Sequence, residues 1–177
     1  AVRVLLADRT LDVSGAGYAP EGGFQDQGQP LDAEDDADLQ RLARCALRCN
    51  DARLSERETE GWQVVGDPTE GALLTLALKA GLDAEQLAQQ APRIDTIPFE
   101  SEHRFMATLH RDHSGRVFAL LKGAPESVLG LCVVDTAGNA VDTAAWQCRM
   151  QRVAQAGQRV LALADCELPA GTTGLTM

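Results

Sequence analysis

Residues 104–122, R-F-M-A-T-L-H-R-D-H-S-G-R-V-F-A-L-L-K, form the stretch that decides the fold. Two segments that alternate like strands, 104–110 and 116–122, flank the turn residues Asp112, Ser114 and Gly115. Such a pattern predicts an antiparallel hairpin. The preceding segment 93–99 alternates in the same way and predicts a further strand.

Helical periodicity dominates the sequence on both sides of this hairpin. Apolar residues recur at helical spacing over 39–47, directly after the acidic stretch 32–38, which suits a helix N-terminus. At the next helix, Asp67 is a good N-cap and Pro68 a good first residue. Further helices are predicted at 83–91, from 123–126 onward and at 142–156, strands at 1–7, 62–65 and 160–164, and loops at 15–23 and 53–61. This order predicts an α+β fold, a mainly antiparallel twisted sheet flanked by helices.

Composition limits the classes of function. The chain has 177 residues, of which 45% are hydrophobic, enough for one substantial core and hence one domain. Only 4% are aromatic, so an exposed aromatic side chain is informative. The net charge of −10 opposes binding to nucleic acid or to an anionic membrane surface. An anionic ligand would therefore need a small local cluster of cations.

Cysteine and histidine spacing gives no metal site. The five cysteines are scattered without a C-x-x-C pair, which favours a reducing cytosol, and Cys45 and Cys49 are interpreted as small buried hydrophobes. His110 and His113 are predicted to fall in the hairpin turn, where no shared face is enforced. No apolar run approaches the roughly 18 residues that span a bilayer, so we expect a soluble domain without direct membrane contact.

Four segments taken together resemble the nucleotide-binding (N) domain of P-type cation-transporting ATPases of the calcium-pump-like group. They are G-D-P-T-E-G-A-L at 66–73, I-P-F-E-S at 97–101 leading to Arg104 and Met106, K-G-A-P-E at 122–126, and G-Q-R-V-L-A-L-A at 157–164. Segments 13–22 and 49–52 match as well. The resemblance implies one nucleotide-binding domain over residues 1–177, with hinge strands at about 1–10 and 165–177.

The resemblance also implies a site for ATP. The residues it assigns to the nucleotide are Glu70, Phe99, Arg104, Met106, Lys122, Gly123, Arg159 and Leu161.

Phe99 offers the flat apolar face that a purine needs, although a core phenylalanine at a strand end is the alternative. Lys122 precedes a glycine that would let a ligand approach the backbone, and its alternative is an exposed strand-end lysine. Arg159 would lie on an apolar strand and lean into a cleft toward phosphate, with Leu161 on the same face.

Glu70 has two interpretations. The resemblance makes it an acceptor for the adenine amino group, whereas its position three after Asp67 suits a capping box. Two departures from the family pattern stand nearby: Arg104 replaces the usual lysine, which keeps the charge, and Ser101 replaces an arginine of many animal members, which removes a possible phosphate contact.

No catalytic residue is predicted in this chain. The aspartate nucleophile of a D-K-T-G-T loop is missing, Asp8-Arg9-Thr10 lacks the following Gly-Thr, and neither a P-loop nor a kinase loop occurs. The resemblance implies that a parent enzyme couples ATP hydrolysis to cation transport, with this domain on the cytoplasmic side of a membrane. Its partners would be Mg-ATP, with magnesium held mainly by residues outside this chain, and the phosphorylation and actuator domains.

Two other functions stay open. A docking module on the same fold that has lost nucleotide binding is suggested by the acidity and by Ser101. The second is a free-standing small enzyme, but the sequence shows no nucleophile paired with a general base that would support this hypothesis. The sequence does not identify the transported ion, whose ligands lie elsewhere. Calcium or manganese as that ion is implied only by the branch of the family that the chain resembles.

Overall fold

The computed structural model describes residues 1–57, 59 and 61–176, and the chain divides into two compact units, Ala1–Gln90 and Ala91–Met177. The first unit opens with a four-stranded antiparallel sheet in sequential order. Its strands are β1 Arg3–Leu5, β2 Thr10–Val13, β3 Phe24–Asp26 and β4 Gln29–Leu31.

Three helices complete the core of the first unit, namely α1 Ala37–Arg48, α2 Pro68–Lys79 and α3 Ala84–Gln90. The Asp36 side chain caps α1 by accepting the Leu39 N–H at 3.0 Å, and Asp67 caps α2 as predicted. Helix α1 packs against α2 and α3, and its fully buried Leu39 belongs to the same cluster as Leu11 of β2. The predicted helices of this unit are confirmed.

A hairpin stands where the sequence predicted a loop over 53–61. Strand β5 Arg53–Arg57 pairs antiparallel with β6 Gly61–Val65. Leu54 lies opposite Val64, and both pack on the core of the first unit. The loop prediction was wrong because Leu54, one apolar residue among charged ones, packs on the core and so stabilises a two-stranded sheet.

The second unit is built on a four-stranded antiparallel sheet in the order β10-β9-β8-β7. The strands are β7 Arg93–Ile97, β8 Phe105–Arg111, β9 Val117–Gly123 and β10 Ala162–Leu168. The predicted β8–β9 hairpin is confirmed, and Asp112 closes its turn by accepting the backbone N–H groups of Ser114 and Arg116 at 2.9 and 3.0 Å.

Two helices accompany this sheet, α4 Pro125–Leu129 and α5 Thr143–Gln155. Helix α4 packs on β9 and β10. One face of the sheet carries a core of Leu109, Val117 and Ala119, against which Leu168 and Leu175 pack. Antiparallel sheets flanked by helices confirm the predicted α+β class.

The last strand was predicted too early, at 160–164. Strand β10 begins at Ala162 and runs through the exposed residues 165–167 to Leu168. An apolar run does not define the ends of a strand; cross-strand pairing does, and here it starts where Ala162 lies opposite Gly123. Among the described residues, no helix has both the length and the apolar character required to cross a membrane.

Candidate functional site

Strands β8 and β9 bring two of the matched segments together at one end of the second unit's sheet. Phe105 lies opposite Gly123 and Met106 opposite Lys122. Just outside the ladder, the Ala124 N–H donates to the carbonyl oxygen of Arg104 at 2.9 Å. Four of the predicted site residues, Arg104, Met106, Lys122 and Gly123, are thus neighbours in space.

Met106 and Lys122 share one face of this sheet. Side chains alternate between the faces of a strand, so this pair points away from the face that carries Leu109 and Val117. Met106 is 1% exposed and Lys122 is 6% exposed. The alternative interpretation of Lys122 as an exposed strand-end lysine was therefore wrong.

Gly123 has a structural reason to be a glycine. A Cβ atom at this position would lie 2.4 Å from the Arg104 carbonyl oxygen and 2.6 Å from the Phe105 Cα. The sequence predicted that a ligand would approach the backbone at Gly123, but the backbone of Arg104 and Phe105 fills that space. The glycine permits close approach of the neighbouring strand, which in turn positions Arg104.

Arg104 is held in an uncommon backbone conformation, with a φ angle of 58°. Its N–H donates to the Glu100 carbonyl at 2.8 Å, and its guanidinium Nη1 donates to Glu126 Oε1 at 2.7 Å. Both side chains of this ion pair are about half exposed, at 51% and 56%. Sequence reasoning missed the role of Glu126, because nothing in the sequence pairs the start of a strand with the first turn of a helix 22 residues later.

Phe99 lies between β7 and β8 and is 58% exposed. The alternative of an ordinary core phenylalanine was therefore wrong. Its segment is ordered by His103, whose Nε2 lies 3.1 Å from the Pro98 carbonyl oxygen and whose ring lies 4.6 Å from that of Phe105. Phe99 presents an open aromatic face beside a structured loop, and His103 is a second residue that the sequence did not single out.

Arg159 and Leu161 precede β10 instead of lying on it. Arg159 is exposed and Leu161 is half-buried, directly before the Ala162 that faces Gly123. The prediction that both side chains share one face of a strand was therefore wrong. Within the part of the chain that the structure describes, Arg159 makes no hydrogen bond or ion pair to the other predicted residues.

Glu70 lies in the first unit, whereas the other seven predicted residues lie in the second. Its Oε2 accepts the Asp51 N–H at 3.3 Å, and its carbonyl accepts from Asn50 Nδ2 at 3.0 Å. The Asp67 carboxylate caps the helix by accepting the N–H groups of Thr69 and Glu70 at 2.7 and 3.2 Å. Glu70 thus joins two matched segments, 49–52 and 66–73.

The second unit's cluster combines cationic and acidic side chains at one end of the sheet. Arg104 directly precedes Phe105, which lies opposite Gly123, so Arg104 and Lys122 are two cationic residues at one end of the ladder, and the Glu126 carboxylate lies 2.7 Å from the Arg104 guanidinium. Among residues 1–57, 59 and 61–176, no group of three or more histidine, cysteine, aspartate or glutamate side chains could hold a metal ion.

A family model described as P-type ATPase, cytoplasmic domain N, matches residues 38–174. The cation-transporting ATPase pma1 of Synechocystis is 44% identical over 170 residues, 91% of this chain and 18% of that protein. The probable cation-transporting ATPase F of Mycobacterium tuberculosis is 45% identical over 130 residues, 69% of this chain and 13% of that protein. The bovine calcium-transporting ATPase type 2C member 1 is 35% identical over 163 residues, 87% of this chain and 16% of that protein.

These relatives are enzymes by name, and the chain spans less than a fifth of the length of each. The family model covers most of the chain, including all four segments on which the resemblance rests. The chain therefore belongs to the family of P-type ATPase cytoplasmic N domains.

Proposed function

We propose that this chain binds ATP, as Mg-ATP, and presents the γ-phosphate to an aspartate in a phosphorylation domain that is not part of this chain. One observation carries the proposal: the close grouping of Arg104, Met106, Lys122 and Gly123 at one end of the β8–β9 ladder. Two cations and an apolar side chain next to each other suit a nucleotide. The proposal uses no catalytic residue of this chain.

Phe99 stacks on the adenine. Its exposed ring supports this role, because the ring face is accessible to a base. In nucleic-acid complexes a stacked aromatic side chain contributes about 1 to 3 kcal/mol per base. Leu161 lines the apolar part of the site, the buried Met106 supports it from beneath, and Gly123 brings the strands close. Arg104, Lys122 and Arg159 contact phosphate, and Glu70 accepts a hydrogen bond from the adenine amino group.

In the whole pump, this domain contributes orientation. Holding the γ-phosphate near its acceptor turns a bimolecular step into an effectively unimolecular one. Residues 1–177 act as one domain on the cytoplasmic side of the membrane, with hinge strands at about 1–10 and 165–177 and with the phosphorylation and actuator domains as partners. The bovine relative is a calcium-transporting ATPase by name, so calcium is the candidate cation.

Isothermal titration of the 177-residue chain with ATP tests this proposal. One stacked base and a few exposed charge contacts predict a dissociation constant on the order of 0.1 to 1 mM, about 4 to 5.5 kcal/mol. Phe99→Ala should weaken binding roughly 5- to 150-fold, whereas Val133→Ala, another exposed apolar residue of the same unit, should leave it unchanged. A folded chain that shows no binding at millimolar ATP would favour the docking module instead.

A further inference from the structure

The guanidinium of Arg104 projects from a backbone that is fixed on both sides. Its N–H is held by Glu100 and its carbonyl by Ala124, at 2.8 and 2.9 Å. The left-handed φ of 58° limits the backbone further, because a non-glycine residue keeps this conformation only where its surroundings impose it. The conformational freedom left to Arg104 therefore lies in its side-chain torsions.

Glu126 projects from an equally fixed backbone. It lies in α4, whose first turn forms as Ser127 and Val128 donate to the Ala124 carbonyl, both at 3.0 Å. Val128 is 1% exposed and anchors the helix. The fold therefore places these two half-exposed side chains within reach of each other, and they meet at 2.7 Å.

The ion pair between Arg104 and Glu126 is expected to contribute little to stability, although the backbones of both residues are well held. Exposed ion pairs contribute little to stability, because water solvates both partners and salt screens them. A guanidinium has five N–H donors in a planar fork, and within the described residues Glu126 is the side-chain partner of Arg104. A polyphosphate can therefore bind the remaining edge or replace the carboxylate.

We propose that Glu126 is the resident counter-ion of the phosphate site, which occupies Arg104 when no nucleotide is bound and opposes bound phosphate by its negative charge. The inference rests on the proposed binding of ATP. Glu126 is a positioning residue that acts through Arg104, and it lowers the affinity for nucleotides more as their phosphate charge increases.

The size of the effect follows from Coulomb's law. A phosphate on the free edge of the guanidinium would lie roughly 5 to 6 Å from the carboxylate. At this distance, in water with physiological salt, removing one charge changes a dissociation constant on the order of two- to fivefold. The expected change is largest for ATP, smaller for ADP and smallest for AMP.

Titration of the Glu126→Gln chain with ATP, ADP and AMP, all without magnesium so that their phosphate charges differ, tests the inference. Glutamine keeps the acceptor oxygen for Arg104 and removes the charge. We expect ATP to bind two- to fivefold more tightly than to wild type, and AMP, with about half the phosphate charge, to bind only about 1.4- to 2.2-fold more tightly. A purely structural role for Glu126 would change the affinities for all three nucleotides alike.

Two further variants isolate the cause. Glu167→Gln removes another exposed, ion-paired acid, which lies 3.7 Å from Arg116 in the same unit, and it should leave ATP affinity unchanged. In an Arg104→Ala background the phosphate is no longer held beside the Glu126 carboxylate, so the gain from Glu126→Gln should shrink to less than half. A gain of equal size in Glu167→Gln, or one that persists without Arg104, would contradict the inference.

The failure of this inference differs from the failure of the proposed function. If wild type and Phe99→Ala behave as expected but Glu126→Gln binds ATP no more tightly, only the counter-ion role is refuted. If the folded wild-type chain binds no ATP, the proposed function is refuted and the counter-ion role falls with it.

Discussion

Replacing Gly123 with alanine tests how the sheet positions Arg104. The added Cβ would lie 2.4 Å from the Arg104 carbonyl oxygen and 2.6 Å from the Phe105 Cα, and both are backbone atoms. Real Cβ contacts essentially never fall below 3.0 Å. Strand β8 must therefore move away from β9 by at least several tenths of an ångström at this position.

The expected destabilisation has two parts. Overpacking of a well-packed region lowers the free energy of unfolding by about 1 to 3 kcal/mol. The displaced Arg104 carbonyl would also weaken its hydrogen bond from Ala124, which contributes about 1 kcal/mol. Gly123→Ala should thus lower the free energy of unfolding by about 2 to 4 kcal/mol.

Urea unfolding followed by circular dichroism measures this change, provided the slope with denaturant stays the same. Gly171→Ala is the matched control in the same unit, because a Cβ there meets nothing within 4 Å; its stability should stay within about 0.5 kcal/mol of wild type. A Gly123→Ala chain that loses less than about 1 kcal/mol would refute the steric argument. ATP affinity should fall together with stability, since Arg104 moves.

Three further changes test the local structure. Asp67→Ala removes the N-cap of α2 and should lower the free energy of unfolding by about 1 kcal/mol, measured by urea unfolding, while a value near zero would contradict the capping role. Asp95→Ala removes the acceptor for the Leu175 N–H at 2.7 Å, and that amide should exchange with deuterium at least about tenfold faster; unchanged exchange would show that the tail is held by other contacts. The pKa of Asp112 lies below its ordinary value, mainly because the Ser114 hydroxyl donates to it. The ionised Asp112 therefore contributes to stability above the unfolded-state pKa of about 4, and this contribution is lost as the pH falls through the lower folded-state pKa. Asp112→Asn should reduce the loss of thermal stability below about pH 4. A melting temperature that falls with pH as steeply as in wild type would contradict this.

The sequence predicted the elements whose signals are local. The β8–β9 hairpin follows from alternation around Asp112 and Gly115, and α2 follows from Asp67 and Pro68 at its start. In each case, the residues that determine the conformation lie within one short window, so the pattern is visible before the fold is known.

The features that the sequence missed depend on contacts between distant segments. Strand β5 is stabilised by burial of Leu54, and the start of β10 depends on pairing with β9. The ion pair between Arg104 and Glu126 requires that β8 and α4 meet. The sequence predicted that Gly123 leaves space for a ligand next to the backbone, but the neighbouring strand β8 fills this space.

An NMR titration of the isotopically labelled chain with ATP tests the central claim most directly. The account predicts saturable shifts of the backbone amides at Phe99, Arg104, Lys122 and Arg159, with a midpoint on the order of 0.1 to 1 mM, and predicts that they are largely lost in Phe99→Ala. A folded chain whose spectrum does not change at millimolar ATP, or whose shifts lie away from these residues, would contradict it.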